Sequence, residues 1–231
     1  MAPAISATGL GRRYGERPAL HGVDFSLDRG QTLVVLGPNG AGKSTLLRIL
    51  ATLLRPHSGE ASVLGYDLRT EGWKLRAEIG LLGHEPLLYR DLSARENLNF
   101  HAKLHRATTA RVDELLAAVR LTARADDPLH TYSRGMVQRA AAARAVLHDP
   151  ELLLLDEPSA NLDPHAAELL QPLIGRESGK TRVITSHNPS VDLGQADVVL
   201  GLRGGKVVLS GRPSEIGQDQ LAALYADAVA A

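Results

Sequence analysis

A parallel α/β architecture with a largely helical segment set into it is predicted by three features of this 231-residue chain. Residues 32–36, 152–155 and 183–185 form short runs of apolar and β-branched side chains with the look of buried strands. The runs are followed by loop residues and then by polar helix starts, the order that builds parallel sheets. Between the first and second runs, residues 73–125 read as largely helical, which predicts a subdomain inserted between strands.

The elements follow in order. Residues 5–27 are short and strand-like, punctuated by Gly9, Gly11, Gly15 and Pro18. The run 32–36 ends at Gly37-Pro38. Residues 43–54 place Leu46, Leu47, Leu50, Leu53 and Leu54 at helical spacing, and Pro56 stops them. Ser93 and Glu96 stand three apart as a capping-box pair that starts a helix.

Composition narrows the function. Basic and acidic side chains balance at 26 each, so a strongly basic nucleic-acid binder is disfavoured. The 44% hydrophobic content is that of a globular chain. With no cysteine there is no disulfide frame, iron–sulfur cluster or thiolate zinc site. No apolar run approaches the roughly 20 residues of a membrane helix, and the N-terminus has no secretory pattern. The expectation is a soluble, cytosolic protein. Arginines number 21 and lysines 5, so each lysine position is informative.

The first chemical motif is Gly37-Pro38-Asn39-Gly40-Ala41-Gly42-Lys43-Ser44-Thr45, between a strand and a helix. It fits the phosphate-binding pattern G-x-x-x-x-G-K-[ST]. Small residues let successive N–H groups turn towards phosphate oxygens, and the helix N-terminus adds partial positive charge. Lys43 reaches the β/γ-phosphates in such a loop, and the Ser44 hydroxyl ligates Mg²⁺. The second motif is residues 152–155 followed by Asp156-Glu157, an acidic pair at the C-terminal end of a buried strand. Asp156 is placed to hold Mg²⁺, and Glu157 to polarise the water that attacks the γ-phosphate.

The remaining motifs bring a resemblance to ABC-type ATPases. Tyr132-Ser133-Arg134-Gly135-Met136-Val137-Gln138-Arg139 resembles their signature motif, and Ser159-Ala160-Asn161-Leu162-Asp163 resembles their D-loop. Thr185-Ser186-His187 is similar to their switch histidine, and Tyr14 stands where they stack an aromatic ring on adenine. The likeness runs from about residue 9 to residue 212. It implies a P-loop NTPase core with a parallel sheet, an antiparallel β-subdomain and an inserted helical subdomain at roughly 84–147, within one nucleotide-binding domain over 1–231.

The resemblance also implies function. Two such domains close head to tail on two ATP molecules, with Mg²⁺ as cofactor, and a homodimer is expected. Ser133 and Gly135 of one subunit meet the γ-phosphate held by Lys43 of the other. His187 contacts the γ-phosphate and the attacking water in cis, and Asp163 carries information across the interface. The partners are integral membrane permease subunits, with no nucleic acid, and the location is the cytoplasmic face of the cell membrane.

Two motifs depart from the family pattern. Arg134 and Met136 replace the usual Gly and Gln, while Ser133 and Gly135 are kept. His84 replaces the glutamine of the Q-loop, which touches Mg²⁺ and borders the membrane-subunit surface; imidazole nitrogen suits magnesium less well than oxygen. Gly83-His84, with residues 87–98, is similar to the ATP-binding subunit of the heme exporter of cytochrome c maturation. Drug or sodium export ATPases and a soluble ATPase of iron–sulfur assembly are the alternatives. A phosphate-loop kinase or GTPase does not explain Ser133, Asp163 and His187 together. The 113 positions from Lys43 to Asp156 leave no room for the long coiled coils of DNA-repair members.

Overall fold

Gly15 ends a strand as its punctuation predicts, in the turn before Arg17, whereas Gly9 and Gly11 bend a strand instead of ending it. In the structure, a computed structural model describing residues 2–158, 164–187 and 192–226, two long strands open the chain. These are β1 (Ile5–Tyr14) and β2 (Arg17–Leu27), paired antiparallel with register shifts at Ala7/Leu10, Leu10/Arg12 and Arg12/Arg13. Gly9, at φ +61°, sits in the first of these bulges, so residues expected to terminate short strands kink long ones.

The chain divides into two compact units: Met1–Arg76 with Leu154–Glu157 and Thr181–Ala231, and Ala77–Leu153 with Pro158–Lys180. In the first, β4 (Ser58–Val63) and β5 (Tyr66–Asp67) complete an antiparallel sheet of order β2-β1-β4-β5. The central strand β3 (Thr32–Leu36) is buried throughout. It pairs in parallel with β8 (Thr181–Ser186) on one side and β9 (Val198–Arg203) on the other. β10 (Lys206–Gly211) closes the β9 edge antiparallel, and the end of β7 (Leu152–Asp156) lies beyond β8. Three parallel strands therefore deliver their C-terminal ends, at Leu36, Ser186 and Arg203, to one edge of the sheet, where open α/β sheets bind ligands.

Helix α1 (Lys43–Leu50) is shorter than its leucine spacing predicts. Beyond it Thr52 takes a left-handed φ of +60° and Leu53 is exposed. The chain has to turn there to bring the His57 N–H onto the Gly11 carbonyl, 2.8 Å away, and begin β4. A short helix α2 (Gly72–Leu75) ends this part. After β8, Asp192 is helical and residues 193–195 form a 3-10 turn, while residues 188–191, where the expected helix would start, lie outside the described residues.

The second unit contains β6 (Ile79–Leu82), beside the beginning of β7, in a segment expected to be helical. Four residues carry too little periodicity to separate strand from helix. Packing decides: a Cβ on Gly80 would lie 2.3 Å from the Ala145 carbonyl oxygen, so only glycine lets the strand run this close to α5 (Arg134–Ala145). Ala140, Ala141, Ala142, Ala143 and Ala145 are all buried, and small side chains make that close approach possible. Helix α3 (Ala94–His105) starts at the expected capping box, with Ser93 Oγ accepting from Glu96 N at 3.1 Å and Glu96 Oε2 from Ser93 N at 2.8 Å. The wholly buried Asn97 clamps the preceding loop, accepting from Tyr89 N at 2.8 Å and donating to Tyr89 O at 3.0 Å. The unit is completed by α4 (Thr109–Ala118) and α6 (Pro164–Ile174).

One cluster in this unit makes it acid-sensitive. The rings of His105 and His148 stack at 4.0 Å, and Arg144 beside them donates to the Leu81 carbonyl. Burial, reinforced by the neighbouring cations, lowers His101 and His148 to about 4 and lowers His105. In the unfolded chain these histidines take up protons near pH 6.5, whereas folding keeps them neutral. Their contribution is therefore fully present above pH 6.5 and is lost as pH falls towards 4. After allowance for partial exposure, His101 and His148 each supply about 1–2 kcal/mol of that loss. Thermal unfolding between pH 7.5 and 4.5 should fall steeply for the native chain and less steeply for His101→Gln/His148→Gln; parallel curves would exclude the cluster as the cause.

Candidate functional site

The phosphate loop is held open by backbone geometry. Gly37, Gly40 and Gly42 have φ of +146°, +78° and +107°. A Cβ on Gly37 would lie 2.1 Å from the Leu202 carbonyl oxygen, so the loop's first position excludes any side chain. Gly42 caps α1, and Lys43 opens it. The Lys43 side chain is only 6% exposed and folds back over the loop, Nζ donating to the Gly37 carbonyl at 2.7 Å and to that of Pro38 at 3.2 Å. Burial lowers its pKa, while Glu157 and Asp156 oppose the shift. An ammonium held by two carbonyls in its own loop can be handed to phosphate oxygens with little rearrangement.

Strands β7 and β8 bring the carboxylates to the same unit. Asp156 accepts from Ser44 Oγ at 3.4 Å and from the hydroxyl of Thr185. Glu157 takes a left-handed φ of +51°, unusual for a side chain of this size. Its N–H is shared between the carbonyl and hydroxyl oxygens of Thr185, at 3.2 and 3.1 Å, which fixes that conformation. The turn aims the carboxylate at His187, whose Nδ1 lies 3.0 Å from Glu157 Oε1. The His187 side chain is 59% exposed and Glu157's 25%, so the pair faces outward where a substrate can reach it.

Sequence reasoning gave no role to three residues that support this group. Thr185 is the hub that orients both carboxylates. Asp192, buried, accepts hydrogen bonds from Ser186 and from Gln195 Nε2; burial raises its pKa, and it senses both His187 and Glu157. Tyr225, in helix α7 (Gln218–Tyr225), accepts from Gly37 N at 3.2 Å and so steadies the loop's first glycine. No motif spacing marks Asp192 or Tyr225; Asp192 is identified by its buried hydrogen bonds within its own loop, and Tyr225 by a contact 188 positions away along the chain.

Tyr14 ends β1 with its ring 47% exposed, consistent with a stacking surface, and the Arg12 guanidinium lies 5.3 Å from the ring centroid. Ser133, Gly135 and His84 belong to the second unit. Ser133 caps α5, its Oγ accepting from Met136 N at 3.3 Å, and Gly135 has open space around it. Ser133 is the cap and Gly135 lies in the first turn of a 12-residue helix, whose dipole favours an anion. His84 is exposed after β6. Asp163 lies outside the described residues.

The donors suit magnesium in a nucleotide complex. Ser44 and Asp156 offer two hard oxygens within 3.4 Å of each other. Among the described residues no three histidine or acidic side chains form a cage. Magnesium typically uses one or two protein oxygens and takes the rest from phosphates and water, so the set fits.

Comparison with known proteins agrees with this geometry. The family model described as ABC transporter matches residues 20–160. The chain is 38% identical over 219 residues to a daunorubicin resistance ATP-binding protein of Streptomyces coeruleorubidus, covering 92% of this chain and 69% of that protein. It is 38% identical over 191 residues to a linearmycin resistance ATP-binding protein of Bacillus subtilis, covering 79% of this chain and 61% of that one. The chain thus spans about two thirds of the length of these relatives. A dimeric ATP-binding cassette, solved in a post-hydrolysis state with ADP and Pi, superposes with a TM-score of 0.82 at 26% identity, covering 90% of this chain and 98% of that one. The phosphate loop, the acidic pair and the family match lead to one conclusion: this chain belongs to the ABC transporter family, as an ATP-binding ATPase domain.

Proposed function

We propose that the chain is the ATP-hydrolysing subunit of an exporter of drug-like small molecules, working as a pair of copies on membrane permease subunits. The observation that carries the ATPase half is the grouping of Lys43, Ser44, Asp156, Glu157 and His187 within one unit. Lys43 and the N–H groups of residues 37–45 bind and orient the phosphates. Ser44 and Asp156 would hold Mg²⁺, which when bound neutralises phosphate charge. Glu157 takes the proton of the attacking water. His187 holds that carboxylate in line and donates to the γ-phosphate. Ser133 and Gly135 present a helix N-terminus to the nucleotide of a second copy, with Asp163 at the boundary. His84 offers a nitrogen acceptor, a weaker match for magnesium than the Ser44–Asp156 oxygens.

The cargo class rests on relatives named for daunorubicin and linearmycin resistance. A second reading, heme export for cytochrome c maturation, rests on Gly83-His84 and the loop that follows. The permease surface is assigned to the side chains of the second unit that stay exposed although apolar, Leu87, Tyr89, Phe100 and Leu104. No helix among the described residues is long and apolar enough to cross a membrane. Affinity isolation of the tagged chain from detergent-solubilised membranes should recover a permease, and amphipathic drugs should stimulate its ATPase activity. Stimulation by heme and not by drugs would replace the first reading with the second. Isolation without any membrane protein would sink both.

A further inference from the structure

The first glycine of the phosphate loop stands just past the end of a strand ladder. Strand β3 pairs with β8 and β9 as far as Leu36, which lies opposite Ser186 and Gly201. Gly37 follows and is buried. Its N–H donates to the Tyr225 hydroxyl at 3.2 Å. A buried N–H beyond the ladder needs an acceptor, and a side chain from the far end of the chain supplies it.

Packing brings that hydroxyl into place. A Cβ on Gly201 would lie 2.7 Å from Leu209 Cβ and 3.3 Å from Leu224 Cδ2, so the missing side chain makes room for α7 on β9. Leu224 is buried there, beside the residue paired with Leu36, and the next residue, Tyr225, reaches one step further to Gly37. At the end of β9, Arg203 Nη1 donates to the Ala223 carbonyl at 3.0 Å and ties the same turn of α7 to the sheet. On its other side Gly37 offers its carbonyl to Lys43 Nζ at 2.7 Å. Both peptide groups of Gly37 are therefore held, one by α7 and the other by the lysine that meets phosphate. At φ +146° Gly37 has no side chain of its own to maintain this conformation, so outside contacts must.

We propose that Tyr225 is a positioning residue for nucleotide binding: its hydroxyl fixes the Gly37 peptide, so helix α7 sets the affinity of the phosphate loop for ATP. A loop held in its binding geometry before phosphate arrives loses less freedom on binding. Coupling between sites is reciprocal, so bound nucleotide in turn holds α7 against the sheet. The proposal rests on the assignment of residues 37–45 as the phosphate loop and adds a distant element to it.

Tyr225→Phe in the full-length chain removes one oxygen and keeps the ring. Its affinity for MgATP in isothermal titration should fall about ten-fold, the effect of leaving a buried donor without its acceptor. KM for ATP should rise by a similar factor with kcat within about two-fold, because Glu157 and His187 are untouched. A chain that is merely destabilised would lose kcat with its folded fraction and keep its KM. The native chain supplies a measurement that needs no variant: MgADP should slow amide exchange across residues 218–225, and Tyr225→Phe should abolish that protection. Unchanged affinity in Tyr225→Phe would overturn the proposal, as would exchange in residues 218–225 of the native chain that is indifferent to nucleotide. Lys43→Ala shows how far such a failure reaches. If it loses binding while Tyr225→Phe does not, the role of Tyr225 alone falls; if it too binds normally, the phosphate loop falls as well.

Discussion

Glu157→Gln is expected to lower ATP turnover by about 10²–10⁴-fold while leaving ATP affinity within a few-fold of the native chain. The contrast follows from what glutamine keeps. It has the same length and shape, and the backbone N–H that fixes the +51° turn still reaches both oxygens of Thr185. Its amide oxygen can still face His187 Nδ1, 3.0 Å from the present carboxylate oxygen. Its missing property is the basicity needed to take the proton of the attacking water. The binding groups, Lys43, Ser44 and Asp156, are untouched, so ATP enters and is not consumed. If two copies close on two ATP molecules, this variant accumulates as an ATP-dependent dimer. Light scattering with and without ATP reads that directly, and a variant that stays monomeric in saturating ATP would defeat the head-to-tail arrangement. His187→Ala should also lose turnover, but the double variant should fall little further, because residues acting as a unit are not additive.

The parts of this site legible in the sequence are those where chemistry is written in consecutive residues. Gly37 to Thr45 needs its glycines for backbone angles that few side chains tolerate, and a short pattern records that need. The four leucines before Asp156 announce a buried strand with an acidic end, and Ser93 with Glu96 announces a helix start; both elements stand in the structure as read. Legibility fails where the cause lies far away along the chain. β6 is a strand because Gly80 fits against Ala145, a contact 65 positions distant that no local window can contain. The glycines of β1 bend a strand paired on both edges, whereas in isolation they read as its end. Thr185 is an ordinary β-branched residue in a buried run, and only the fold shows its hydroxyl serving Asp156 and Glu157. The cargo is illegible for a different reason: the motifs written in this sequence concern the chemistry of ATP, and none of them concerns a transported molecule.

Lys43→Ala is expected to weaken MgATP binding by about 100-fold, the loss of roughly 3 kcal/mol that a charge-assisted contact to phosphate supplies. Its effect on the folded protein without nucleotide should be far smaller. The ammonium is buried, so removing it relieves a desolvation cost that already lowers its pKa. Against that, the Gly37 and Pro38 carbonyls lose a donor, the first of them buried and the second partly exposed, so the relief and the loss offset each other. Thermal unfolding separates the two effects. At an ATP concentration 100 times the native Kd, binding stabilises the native chain by about 2.7 kcal/mol. With the Kd raised 100-fold the same ATP supplies about 0.4 kcal/mol. The melting point without nucleotide should therefore barely move, while the upward shift on adding MgATP should nearly vanish. An equal ATP-induced shift in both proteins would show that phosphate is held without Lys43, and the assignment of residues 37–45 as the phosphate loop would fall with it. Lys43→Arg sharpens the reading, because it keeps the charge but not the compact ammonium that fits between two carbonyls at 2.7 and 3.2 Å. A partial recovery of the shift would assign the effect to charge; none would assign it to the fit of the ammonium within the loop.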